Sequence, residues 1–587
     1  MATIKSFNTG GGIMGNCKFV DELNRLRKSS SDSIDGTDTF DDFKKYMHVS
    51  RSAEKDLIEI LYKIADSGRK SLVMLCGSAG DGKSHLLSYL KNDLRLLDNY
   101  VVYNDATESS APSKTAIETL SEALQGFSDE NLEKPGKNFI LAINLGVLSN
   151  FVESSYGDSF KQLRQYVINS NILTNQLNEK GYEENSAFQH ISFSDYHMYN
   201  LTAHGVKPEY LEHLLEKVFR KEFENPFYNV YNNNCKKCSL SQKCPVKHNF
   251  EFLANEKNRK YVANALVEVT IKDKEILTTR EILNYIYDII VAQNFNYNKI
   301  AQSLTNEVSF LKEYISDITP SLMYEYTDKS MLLNRLKKYD PLLIRSEQAD
   351  EDAISYYVSS DVSNEVISVL DKEVYSKVLC QQSAIEKINS DKVLKAQLFN
   401  ILERLKKIKS NIIQDNAYIS FLKMLYYFNT ATTRKYGELY DLVEKAIIQW
   451  CGNEDQDNIC FDSCHEGIAL YEHIEFEPYL DDSLSIKKNE ELQSFLPFIT
   501  VKYESKKTEE IISLDIDYSL YELIYKLAAG YIQTAEDRNN HADFISFIYK
   551  ILRTGSADKE VFLVTDDNRK AIIEKTKFGV YKFKVVR

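Results

Sequence analysis

Ser71-Leu-Val-Met-Leu-Cys76-Gly77-Ser-Ala-Gly80-Asp-Gly82-Lys83-Ser84 decides how the rest of this 587-residue chain is read. The run ending at Cys76 is apolar and bounded by Lys70 and Gly77, which reads as a buried strand of a parallel sheet. It passes straight into Gly-x4-Gly-Lys-Ser, and Leu86, Leu87, Tyr89, Leu90 and Leu94 then recur at helical spacing. A strand, a glycine loop and a helix in that order make a phosphate cradle. Gly77, Gly80 and Gly82 let the backbone turn so that successive N–H groups, through Ser78, Ala79 and Asp81, converge on phosphate oxygens. The helix beginning near Gly82 adds its positive end. Lys83 supplies a point charge to the β- and γ-phosphates, the Ser84 hydroxyl takes Mg²⁺, and His85 closes the set. The ligand this pattern implies is ATP with Mg²⁺.

Outward from the loop, strand and helix patterns alternate. A helical period covers 54–66 upstream. Downstream come a strand at 100–104 with a helix at 113–126, a strand at 139–144 with a helix at 147–172, and a strand at 191–196 with a helix at 209–223. That alternation is what a parallel sheet with crossover helices requires. From about residue 250 helix dominates, with long periodic stretches at 279–291 and 387–427. The last hundred residues mix β-prone runs at 561–565 and 580–585 with a helix at 518–531. Gly (21) and Pro (9) are scarce against the roughly 7% and 5% of ordinary proteins, which also favours long helices over a sandwich or barrel. No internal repeat or Pro-rich linker is evident. The expected class is α/β: an AAA+-like P-loop sheet, then a mainly helical region and a small α+β C-terminal part. The expected parts are a lead-in at 1–50, the P-loop domain at 51–225, a metal knuckle with helical lid at 226–345, a helical domain at 346–470 and an α+β domain at 471–587.

A P-loop ATPase holds Mg²⁺ through a second carboxylate at the end of another strand. The best apolar strand at a suitable distance ends in Asn144, where Asp would be expected. Asn at a strand tip can orient water or sense γ-phosphate, as the AAA+ sensor does. Asp105, with Glu108 close behind, offers carboxylates at another strand end. Either residue can equally be a turn-forming Asx side chain. Arg280, at the start of a helix, stands where an AAA+ lid carries its second sensor arginine, or is a surface arginine.

Nine cysteines are unevenly spread. Cys235-x2-Cys238-x5-Cys244-x3-His248 lies in a polar, basic loop, and four such ligands so close together read as a metal site. Zn²⁺ is expected because the set closes locally. The alternative is an iron–sulfur cluster, since the same thiol spacing followed by Pro245 occurs around such clusters with a distant fourth Cys; Cys380 or Cys464 could serve. Cys451, Cys460, Cys464 and His465 form a looser, irregular group. Arg404, Lys406, Lys407 and Lys409 could meet phosphate or form a solvated helix face.

The net charge of −14 argues against unaided, non-specific gripping of duplex DNA, which needs a basic excess. No nuclease or hydrolase constellation is present. Residues 1–15 lack an apolar core of signal-peptide length and no run of about 18 apolar residues exists, so the expectation is a cytoplasmic chain with no membrane partner.

Leu75-Cys-Gly-Ser-Ala-Gly-Asp-Gly-Lys-Ser-His-Leu86 resembles the DptF (DndF-like) family of DNA phosphorothioation-dependent restriction proteins. So do Asn104-Asp-Ala-Thr-Glu-Ser109, Ile140-Leu-Ala-Ile-Asn-Leu-Gly-Val-Leu148, Phe193-Ser-Asp-Tyr-His197 and the Cys235–Cys244 knuckle, which together span about residues 70–250. The resemblance implies an ATP-driven subunit of a bacterial defence complex, acting with DptG-like and DptH-like subunits on DNA that lacks backbone sulfur. By motif match, Gly77 to Ser84 would be its ATP site, with DNA reached through the complex; the alternatives are a nucleotide-sensing scaffold with little turnover and a metal-knuckle DNA-binding module with a vestigial P-loop, and nuclease activity is not expected of this chain.

Overall fold

The computed structural model describes residues 17–27, 41–104, 115–173, 181–305, 307–410, 415–452, 458–464, 467–473, 477–479, 490–504, 510–554, 560–565, 569–576 and 578–586. The chain divides into two compact units, residues 1–199 with 208–412, and residues 200–207 with 413–587.

In the first unit the elements run α1 (Lys18–Leu23), α2 (Asp42–Met47), α3 (Ser52–Ser67), β1 (Leu72–Cys76), α4 (Lys83–Asn92), β2 (Tyr100–Tyr103), α5 (Ala116–Ala123), β3 (Asn138–Ile143), α6 (Leu145–Glu153), α7 (Lys161–Asn169) and β4 (Phe188–Ser192). The strands form one parallel sheet in the order β2-β3-β1-β4. All five residues of β1 are buried, as its unbroken apolar run requires. Its side chains alternate between two cores. Leu72, Met74 and Cys76 pack with Leu120, Leu148, Phe151 and Leu163 of the α5–α7 layer. Val73 and Leu75 pack with Leu57, Ile60, Leu61, Leu86, Leu87 and Leu90 of α3 and α4. Each such side chain contributes about 1.5–3 kcal/mol, so the sheet is anchored from both faces.

This register decides where chemistry can sit. Cys76 lies opposite Ile143 on one side and Ser192 on the other, so the carboxyl ends of β3, β1 and β4 finish level. The chain steps from β1 to one side, returns through β3, and crosses to the other side at β4. Ligands of open α/β sheets bind at the strand carboxyl ends where that reversal occurs.

Two expected elements come out differently. The single helix expected over 147–172 is α6 and α7 separated by a 3₁₀ turn, Ser155–Ser159. A side chain at Gly157 would meet the Val152 carbonyl at 2.6 Å, so this close turn needs glycine. The strand expected at 191–196 is Phe188–Ser192, because Phe193–Asp195 coil into a 3₁₀ turn.

The chain continues through α8 (Glu209–Phe219), α9 (Pro226–Asn234), α10 (Pro245–Leu253), α11 (Glu256–Lys272) and α12 (Thr279–Asp288) into further helices. The stretch read as continuously helical at 387–427 is three helices, Gln382–Ser390, Lys392–Ser410 and Asn416–Asn429. Asp391 and Asp415 punctuate them, accepting from Leu394 N and Tyr418 N. Arg404, expected to meet phosphate or to face solvent, does neither. Arg404 is 1% exposed and bonds Asp340 at 2.7 and 3.1 Å and Glu325 at 2.5 Å. Lys406 pairs with Asp352 and Glu403, and Lys409 with Glu373. These cations are spent on carboxylates of the same unit.

Among the described residues, the second unit holds three antiparallel sheets. Asn200–Thr202 pairs with Gly205–Lys207 and with Glu491–Leu492. Ile499–Glu504 pairs with Ile511–Ile516, and a five-stranded sheet joins Tyr581–Val586, Lys570–Lys575, Glu560–Thr565, Ile468–His473 and Asn458–Cys464. Among the described residues no helix is long and apolar enough to cross a membrane.

Candidate functional site

The loop from Gly77 to Ser84 joins β1 to α4 at the level carboxyl edge of the sheet. Gly80 and Gly82 both take φ +92°, a left-handed conformation that costs an L-residue about 1–2 kcal/mol. Gly82 is the N-cap of α4, so Lys83 and Ser84 open the helix where unsatisfied N–H groups and the positive dipole end lie. The Gly77 N–H donates to the Ile143 carbonyl at 3.2 Å, which ties the loop to the end of β3. Lys83 Nζ folds over the loop and donates to the Gly77 and Ser78 carbonyls at 2.7 and 2.6 Å. Asp81 Oδ2 accepts from Ser78 N at 2.5 Å. Burial pushes the Asp81 carboxyl up, against the opposing pull of Lys83 and the Ser78 N–H.

Three further elements meet this loop. The first is the tip of β3. Asn144 caps α6, its side chain accepting from Gly146 N at 2.8 Å, so the Asx-cap role is realised next to the loop. Asp105 and Glu108 lie outside the described residues. The second is the start of α12, where Thr278 and Glu281 form a capping box. A Cβ at Gly80 would stand 3.2 Å from Thr278 Cβ and Oγ1 and 3.4 Å from Arg280 Cβ. Arg280 and the loop glycines are therefore brought together. Thr279, whose Oγ1 is 3.3 Å from the Tyr210 hydroxyl, faces Gly82.

The third is the turn after β4, which the residue-by-residue reading did not single out. Asp195 supplies a carboxylate beside the end of β1; its charge acts on the Cys76 thiol and on Tyr196. Burial pushes that thiol up to about 12 even though Lys83 pulls the other way. Phe193 packs where a Gly77 side chain would go, 3.0 Å from the position of its Cβ. Arg51, also missed, bonds the Asp81 carbonyl at 3.1 Å and the Tyr196 carbonyl at 3.4 Å. Its guanidinium lies over Phe193 and Tyr210. The available signal was position: Arg51 immediately precedes a strongly periodic helix, and Asp195 closes the alternating run Ile191-Ser-Phe193-Ser.

His85 turns toward α2 and α3. Its Nε2 is 3.1 Å from His48 Nδ1. His48 in turn stacks on Tyr89 with ring centroids 3.8 Å apart and sits 3.1 Å from Glu54. Burial, then the positive charges of His48 and Lys44, hold His85 down to about 4, so it is neutral at physiological pH.

The cysteine knuckle lies elsewhere in the same unit. Cys235 follows α9, Cys244 caps α10, and the Cys238 N–H donates to the Cys235 carbonyl at 3.3 Å. Cys238 Sγ accepts from Leu240 N at 3.4 Å and is 3.8 Å from the Tyr297 hydroxyl. His248 is fully buried with Nδ1 2.7 Å from the Tyr314 hydroxyl. The knuckle's lysines serve the fold: Lys243 donates to the Ser303 carbonyl, and Lys247 to the Ser241 carbonyl and Glu251. Among the described residues no three His, Cys, Asp or Glu side chains are gathered at the spacing of a bound metal ion. Cys451 and Cys460 are neighbours, and burial with the second thiol pushes Cys451 up to about 12. The Cys464 side chain and His465 lie outside the described residues. No protein family, curated protein or solved structure matches the chain.

Proposed function

We propose that the chain binds Mg·ATP on Gly77 to Ser84 and is the nucleotide-driven subunit of a restriction complex that attacks DNA lacking backbone phosphorothioate. The observation that carries the nucleotide part is convergence at one sheet edge. The glycine loop, the N-terminus of α4, the Asn144 tip and the start of α12 with Arg280 all meet there. An entering triphosphate takes over Lys83 from two carbonyl partners, an exchange costing about 0.5–1.5 kcal/mol per bond and outweighed by charge-assisted bonds to phosphate. Ser84 stands at the first turn of α4 to hold Mg²⁺, with Asp105 or Asp195 as the second carboxylate. Hydrolysis to ADP and phosphate would use Asn144 to orient water and Arg280 to meet charge on the γ-phosphate. The restriction part rests on the resemblance in the loop and strand-end motifs, which also supplies the DptG-like and DptH-like partners. Lys83→Ala is expected to abolish nucleotide binding and restriction of unmodified DNA while leaving thermal melting unchanged. Undiminished restriction with that variant would refute the proposal.

One observation favours a second reading, a nucleotide-sensing scaffold with little turnover: the β3 tip carries an amide already engaged with Gly146 N rather than a carboxylate. Phosphate release measured on the isolated chain and on the assembled complex separates the two.

A further inference from the structure

Sequence spacing points to His248 as the fourth member of the cysteine knuckle, yet a thiol far away in the sequence is folded against it. Cys17 is the N-cap of α1, and α1 packs along α9. Phe19, two residues on, meets Tyr231 edge-on at 5.8 Å and Phe250 at 5.1 Å. Tyr231 lies one helical turn before Cys235, and Phe250 lies in the helix that Cys244 caps. These contacts bring the start of α1 to the knuckle.

Electrostatics report the same proximity. Cys17 feels Cys238; Cys235 feels Cys244, Cys17 and Cys238; Cys244 feels Cys17 and Cys238. Every pair among the four thiols therefore interacts. Backbone N–H groups face two of them, from Val20 and Phe19 at Cys17 and from Lys247 and Val246 at Cys244. None of the four thiols is among the groups acting on His248. Its Nδ1 is engaged with Tyr314, and Lys247, Glu251, Lys377 and the Ser241 backbone are the polar groups acting on its ring.

We propose that Cys17, Cys235, Cys238 and Cys244 together ligate one iron–sulfur cluster through four thiolates, with His248 outside it; a cluster holds its thiolates farther apart than one ion does, which fits the absence of a single-ion grouping among the described residues. Three clustered thiols, a proline directly after the third and one distant thiol are the ligand arrangement of an iron–sulfur cluster; structural zinc sites are built more often from two local pairs. The centre would staple α1 to the α9–α10 segment. The staple is independent of the nucleotide reading.

The test is metal and sulfide analysis, with visible absorption spectra, of the full chain purified without oxygen and without chelators. Wild type, Cys17→Ser, Cys380→Ser and His248→Gln are compared, with circular dichroism to check folding. The expected result is iron and sulfide with a broad visible band; stoichiometric zinc without colour would overturn the cluster. Metal is expected to be lost in Cys17→Ser and kept in Cys380→Ser and His248→Gln. Because a variant could misfold, thiol alkylation mapped by mass spectrometry on the wild-type chain provides a second readout. Cys17 should be protected together with Cys235, Cys238 and Cys244, and all four should become reactive once the metal is stripped. A chain without metal, undiminished metal in folded Cys17→Ser, or Cys17 alkylated while the other three are protected would each overturn the proposal.

Discussion

Adding one methyl group at Gly80 tests whether the loop and the start of α12 work as one binding surface. In Gly80→Ala the new Cβ must adopt φ +92°, at about 1–2 kcal/mol. It also arrives 3.2 Å from Thr278 Cβ and Oγ1 and 3.4 Å from Arg280 Cβ. Those atoms cannot retreat cheaply. Thr278 is held by its capping box, donating through N at 2.9 Å and Oγ1 at 2.8 Å to Glu281 and accepting from Glu281 N at 3.2 Å. A capping interaction of this kind is worth about 0.5–2 kcal/mol, so either the cap yields or the loop backbone moves. Charged to the binding-competent loop, the sum is about 1.5–4 kcal/mol, which weakens Mg·ATP affinity by about 10- to 900-fold. Calorimetric or fluorescent-nucleotide titration reads that loss, and a thermal melt shows whether the fold survives. Gly126→Ala is the control, since nothing lies within 4 Å of its added Cβ. Wild-type affinity in folded Gly80→Ala would refute the argument that the α12 start and the loop glycines form one nucleotide surface.

Arg404→Met is expected to destabilise the first unit by about 1.5–3 kcal/mol while leaving nucleotide affinity of the folded chain intact, because it removes two charge-assisted bonds from the fully buried Asp340, which keeps Lys337 and the Leu342 N–H. Urea unfolding checks this, and combination with Asp340→Asn should recover part of the loss. Acid sensitivity follows from His85, whose folded value is lowered from 6.5 to about 4. Below pH 6.5 the unfolded chain takes up a proton that the folded chain refuses, so this stability is full above 6.5 and is lost as pH falls toward 4. His85→Gln should flatten that part of the melting-temperature profile, and an unchanged profile would count against it. Asn144→Ala should cost about 0.5–2 kcal/mol of stability through loss of the α6 cap and should slow phosphate release. Asn144→Asp, which can still accept from Gly146 N, should melt like wild type.

The glycine loop between β1 and α4 was legible because its backbone requirements are local. Glycines at the left-handed positions, an apolar run before them and a helical period after them lie within one short stretch. Arg280 was legible for a similar reason, since Thr278 and Glu281 carry the capping-box spacing that sets where α12 starts. Contacts between distant segments were not legible. Nothing in the spacing of Cys235, Cys238 and Cys244 points to Cys17, and only the aromatic packing of Phe19 brings it near. Arg404 sat in a basic run that could have faced solvent; its carboxylate partners, Asp340 and Glu325, come from other segments. Several strands of the second unit also escaped notice. Asn458–Cys464 follows an acidic stretch and is broken by Asp462, and Lys570–Lys575 has charged residues at both ends, so neither shows a clean alternating pattern before it pairs with its neighbours.

The most direct measurement is isothermal titration calorimetry of Mg·ATP into the full chain and into Lys83→Ala. The account predicts saturable single-site heat for the wild type and none for a variant whose circular dichroism is unchanged. No heat from the wild type, or equal heat from both, would contradict it.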